Sequence, residues 1–184
     1  MKASRSATRA LTMMALTTAI AVALSFVPGF SMLPSVSFIK YEFSDLPILI
    51  GVFAFGALPG VSIAAVSVLL SFLLGAEGGG PWGALMHFIA IGVYALCAGL
   101  IYGKKKSLKR AVFGMAVGIL AMTAAMIPAN LVITPIYTGA PLAVIRPMLP
   151  AIAAVNLIKG VITAVLTFII YKRISGFLHG KRVS

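Results

Sequence analysis

Lys159 sits in the middle of an apolar stretch, residues 148–171, with Asn156 three residues before it and so on the same helical face. A bare charge near the centre of a bilayer costs ~3 kcal/mol or more, so a lysine this far from either end of its run needs a reason. It pairs with an acid, Asp45 or Glu42, for structure alone, or it is a donor aimed at a polar ligand in a cavity. Asn130 stands near the outer end of another apolar run, beside Pro128. An Asn amide offers donors and acceptors together, which suits the amide-like edge of a heteroaromatic ring; the alternative is hydrogen bonding between helices. Two Asn and one Lys converging on one half of the membrane point to a polar pocket.

Glu42 and Asp45 lie at the mouth of the second apolar run, where Asp45 or Ser44 could cap a helix. Neither a nucleophile–base set nor a phosphate loop accompanies these acids, which argues against hydrolysis. His87 has no second His or Cys at metal-ligand spacing, so zinc is not expected, and the residue reads as an interhelical hydrogen-bonding group or a pocket wall. Tyr41, Trp82 and Tyr137 fall where the chain should meet the outer interface; they anchor an aromatic belt or stack on a flat ligand. Cys97, the single cysteine, is a small hydrophobe within an apolar run.

The elements that position these residues follow from composition. Of 184 residues, 61% are hydrophobic and 10% charged, too apolar for a water-facing surface. The expectation is an all-α integral membrane protein, one transmembrane domain over 1–184, with six spans at 7–27, 46–58, 61–74, 84–102, 111–133 and 148–171. Pro59-Gly60 is read as the turn between the second and third spans. Pro128 should kink or end the fifth near Asn130. Residues 134–147 read as a loop, and alternation around Val36 and Phe38 suggests a short strand or hairpin in the first outer loop. The loop from Gly75 to Gly83 is mobile by composition, and its three consecutive glycines are not a phosphate loop, because no Gly-Lys-Ser/Thr follows.

The net charge of +12 is spread at the ends of the apolar runs, without the aromatic platform of a nucleic-acid binder. With the N-terminus inside, twelve of the fifteen Lys and Arg fall on the cytoplasmic side: Lys2, Arg5, Arg9, the group Lys104 to Arg110, and Lys172, Arg173, Lys181, Arg182. Lys40 and Arg146 fall outside and Lys159 within a span. Only an even number of crossings keeps the three clusters together, six or, with 46–74 as one re-entrant element, four, so both termini are expected in the cytoplasm. Ala15, Ala19 and Ala23 form a small-residue stripe on which another helix could pack.

Three blocks carry a resemblance to a known family: Lys40-Tyr41-Glu42-Phe43-Ser44-Asp45-Leu46-Pro47, the run Asn130 to Tyr137, and Val155-Asn156-Leu157-Ile158-Lys159-Gly160. In order and spacing they resemble the substrate-binding S components of energy-coupling factor (ECF) vitamin transporters, most of all the riboflavin branch. The resemblance implies a six-helix fold with an outward-facing pocket capped by the first outer loop. It implies that Asn130, Asn156 and Lys159 contact riboflavin, a transported ligand and not a cofactor, and that Ala15 and Ala19 face a transmembrane coupling subunit served by two cytoplasmic ATPases. Ala154-Val155 stand where the family has Pro-Phe, and the pantothenate branch shares much of the Ser-Asp-Leu-Pro block. The chain itself has no ATP-binding motif, so energy would come from those partners in a bacterial cell membrane. A small intramembrane enzyme built on Glu42, Asp45 and Lys159, and a proton-driven transporter with Glu42 or Asp45 as relay, are the competing classes.

Overall fold

The fold is a bundle of six helices longer than ten residues, seen in a computed structural model that describes residues 2–103 and 106–178, with side chains for 7–103 and 106–173. Lys104, Lys105, Lys181 and Arg182 of the basic clusters lie outside the described residues, as do the side chains of Lys2 and Arg5. The helices are α1 (Lys2–Ser25), α2 (Asp45–Phe55), α3 (Ala57–Leu73), α4 (Gly80–Tyr102), α5 (Leu108–Thr138), a single turn α6 (Leu142–Ile145), and α7 (Leu149–Leu178). Helix α1 packs on α2 and α3, α4 lies between α3 and α5, and α7 closes the ring between α5 and α2. One apolar core draws on all six long helices, from Ala21 through Leu49, Ile63, Tyr94 and Met122 to Ala164.

Four helices, α1, α4, α5 and the segment ending in α7, are long and apolar enough to cross a membrane. At 1.5 Å per residue α2 is only about 16 Å long and α3 about 26 Å, against a hydrocarbon layer of about 30 Å. Helix α2 is short yet buried at every position from Asp45 to Phe53, so it is a core element and not a lipid-facing one.

The boundaries correct the sequence reading in four places. The α2–α3 junction is Gly56 (φ 106°, ψ 179°), a conformation other residues rarely adopt, and not Pro59-Gly60. Pro59 sits instead in the first turn of α3, where its missing N–H costs nothing. Helix α5 does not stop near Asn130: it runs through Pro128 and Pro135 to Thr138, as membrane helices can when neighbours and hydroxyl side chains support the interrupted backbone. The expected loop 134–147 therefore holds the end of α5, α6, and a 3-10 turn at Arg146–Met148. The expected hairpin in the first outer loop is absent among the described residues. Pro34–Val36 form a 3-10 turn, and one antiparallel bridge, Ser31 to Lys40, closes the loop.

Close helix contacts rest on glycine. A Cβ on Gly99 of α4 would lie 2.6 Å from the Ala57 Cα of α3, and one on Gly118 of α5 would meet the Tyr94 ring at 2.5 Å.

Candidate functional site

The connection between α1 and α2 folds back into the bundle. Val36 packs with Ile152 and Val155 of α7, flanked by Met32, Leu33 and Ile39. The Tyr41 N–H donates to the Phe30 carbonyl at 2.9 Å, and the Tyr41 ring lies against Phe30 (5.4 Å) and edge-on to Phe43 (5.2 Å). Gly29 is required here, since a side chain would run into the Tyr41 carbonyl oxygen. This anchoring carries Glu42 and Asp45 down to Lys159, which stands about 15 Å along α7. The shortness of α2 thus has a cause: the chain reaches that depth as a loop and starts its helix there.

Lys159 Nζ donates to Glu42 Oε2 (3.1 Å) and lies 3.3 Å from Asp45 Oδ2. His87, from the second turn of α4, places Nε2 2.9 Å from both Glu42 Oε2 and Asp45 Oδ1, and Nδ1 2.9 Å from Glu77 Oε1. Asp45, His87 and Lys159 are buried, and the Glu42 side chain is 30% exposed. Burial would push the Glu42 carboxyl up, but the charges of His87 and Lys159 and their hydrogen bonds outweigh it and hold it well below the usual carboxylate range. Burial pushes the Tyr41 phenol above its ordinary value. Asp45 is the first residue of α2 and Ser44 makes no side-chain capping bond; the Asp45 carboxylate is spent on His87 and Lys159 rather than on capping.

A cavity of about 580 Å³ opens beside this centre, a size typical of small-molecule sites. Glu42, His87, Asn156 and Lys159 line it together with Trp82, Met86, Met126 and Tyr137. Asn156 donates to the Ile152 carbonyl (2.8 Å), leaving its oxygen and one N–H for another partner. Asn130 is fully buried behind the wall: it donates to the Met126 carbonyl (2.8 Å) and accepts from Thr134 Oγ1 (2.9 Å), and Met126 and Thr134 are the residues that face the cavity. Trp82 and Tyr137 stand at the cavity, half-exposed, whereas Tyr41 is buried and anchors no interface.

Glu42, Asp45 and His87 offer donor atoms within 4.8 Å of one another, a spacing a metal ion could bridge that the search for a second His or Cys overlooked. The Lys159 ammonium already sits on both carboxylates and supplies the positive charge such an ion would bring. Glu77 is the residue of this cluster that the sequence reading missed. It is the third and last acid of the chain, ten residues before His87, and that pairing was the available signal. On α1, Ala15, Ala19 and Ala23 all lie on the exposed face with Leu11, Leu16 and Ile20, while Thr17 and Ala21 face the bundle.

Residues 9–171 match the family model described as ECF transporter, substrate-specific component. The chain is 29% identical over 172 residues to the riboflavin transporter RibU of Staphylococcus aureus, covering 87% of each chain. It is 28% identical over 158 residues to the riboflavin transporter FmnP of Bacillus subtilis, covering 79% of this chain and 81% of the relative. Among solved structures, one described as the S component of a bacterial ECF transporter superposes with a TM-score of 0.78 at 28% identity, covering 93% of this chain and 98% of the other. An S component for biotin superposes with a TM-score of 0.64 at 18% identity, covering 91% and 93%, a likeness of fold alone. With a match over nearly its whole length and a fold to go with it, the chain belongs to the substrate-specific components of ECF transporters, membrane proteins of transport rather than catalysis.

Proposed function

We propose that this chain captures riboflavin at the outer face of a bacterial cell membrane and delivers it to an ECF coupling subunit driven by two cytoplasmic ATPases. The observation that carries the reading is the make-up of the cavity. Trp82, Met86 and Met126 offer apolar area for a flat ring system, and Asn156 and Lys159 offer hydrogen-bonding groups for its polar edge. The several riboflavin transporters among its relatives support the same ligand. Asn130 acts from behind the wall, through Thr134. Both termini lie in the cytoplasm, α2 and α3 complete six crossings, and the alanine stripe of α1 meets the coupling subunit.

Protein purified from riboflavin-containing cells should carry flavin absorbance, and ligand-free protein should quench flavin fluorescence with one-to-one stoichiometry. No binding of riboflavin, with binding of pantothenate or biotin instead, would overturn the choice of vitamin.

A further inference from the structure

The chain has three acidic residues, and all three end on the imidazole of His87. They arrive from separate segments. Glu42 comes from the α1–α2 connection, Asp45 from the first turn of α2, and Glu77 from the α3–α4 connection. Glu42 and Asp45 share Nε2 and also hold Lys159 of α7; Glu77 takes Nδ1. Ionised carboxylates only accept hydrogen bonds. A ring with a carboxylate at each nitrogen therefore donates from both, or one of the acids carries the proton.

The α3–α4 connection is built to deliver Glu77. Gly75, Gly79 and Gly80 have φ of 78°, 83° and 62°, and a side chain on Gly83 would run into the Gly78 carbonyl oxygen. These glycines, read from composition as a mobile stretch, let the chain turn tightly enough to aim a carboxylate inward. The Glu77 side chain is 3% exposed, and a carboxylate so buried stands only with a partner. His87 is that partner.

We infer that Glu77 is a positioning residue of the binding pocket. By accepting the Nδ1 hydrogen of His87 it fixes the ring so that Nε2 faces Glu42 and Asp45, and so sets where those carboxylates hold Lys159. That Lys159 meets riboflavin rests on the function proposed above; the assignment of Glu77 to the His87 ring does not.

Nitrogen-15 NMR of histidine-labelled protein reads the ring directly, with His179→Asn leaving His87 as the one labelled residue. In the wild type both ring nitrogens should carry protons at neutral pH. Glu77→Ala should remove one of them and raise the riboflavin Kd by about tenfold or more. Glu77→Gln, whose amide oxygen can still accept from Nδ1, should retain most of the affinity and the orientation of the ring. An unchanged ring signal in Glu77→Ala would overturn the inference. So would a Glu77→Gln protein that melts like the wild type but binds as poorly as Glu77→Ala, because charge alone would then be the contribution of Glu77. If the wild type binds no riboflavin, the ligand is wrong, and the ring signal of the variants still decides the role of Glu77.

Discussion

Replacing Lys159 by Met keeps most of the aliphatic stem and removes the ammonium, and the structure lets two consequences be separated. Lys159 lines the cavity, and a hydrogen bond from its charged group to a ligand there is worth ~1.5–3 kcal/mol. At about 1.4 kcal/mol per tenfold, loss of one such contact to riboflavin raises Kd by roughly ten- to a hundredfold. The ammonium also holds Glu42 and Asp45. Breaking a buried pair costs ~3–5 kcal/mol; because Glu42 is 30% exposed and both acids keep His87, the low end, about 3 kcal/mol, applies. The assay is fluorescence-quenching titration of ligand-free protein beside a thermal melt, on Lys159→Met and on Lys159→Met with Glu42→Gln. The double variant removes one orphaned charge and should regain stability without regaining affinity. A single variant that melts early yet binds within about twofold of the wild type would refute a ligand-facing Lys159 and leave it a counter-ion.

Four further outcomes follow from the geometry. Glu42 has a depressed carboxyl pKa, so its contribution to stability should be complete above the ordinary value of ~4.3, and be lost as pH falls below it through the folded-state value; melting temperature from pH 7 to 3 should show that limb, and Glu42→Gln should flatten it. Gly99→Ala must push α4 off the α3 backbone at Ala57 and should cost about 1–3 kcal/mol, read as a lower melting temperature at unchanged ligand stoichiometry. Leu58→Cys in a Cys97→Ala background, exposed just after the α2–α3 junction, should be labelled by impermeant thiol reagents from the cytoplasmic side if both helices cross. Ala19→Leu should impair ATP-dependent uptake through the coupling subunit and leave riboflavin binding by the isolated chain intact, as measured in parallel transport and quenching assays.

The long apolar helices were legible because hydropathy adds up over twenty residues, and the ends of α4, α5 and α7 differ from the sequence reading by only a few residues at most termini. Punctuation was less legible, because Pro and Gly act through context. Pro59 looks like a turn and fits a first helical turn, Pro128 looks like a stop and lies within a helix, and the real break, Gly56, is hidden in an apolar string. In the site, Lys159, Glu42, Asp45 and Asn156 stood out because a membrane makes each polar group expensive. His87 was placed less sharply, since hydrogen bonds to three acids from three segments cannot be seen in spacing. Glu77 was passed over because its glycine neighbours resemble a flexible linker; their positive φ values serve a fixed turn.

The pairing of Glu42 and Asp45 with residues far along the chain also orders events in time. Asp45 meets His87 across 42 residues, and Glu42 meets Lys159 across 117. At ~5–20 residues per second of synthesis, Lys159 emerges on the order of ten seconds after Glu42. During that interval the head of α2 has no lysine to settle against, and His87 is the first counter-charge to arrive. The two carboxylates at the head of α2 gain their second cationic partner only when the last long helix is made, so the setting of the second helix is completed by the seventh.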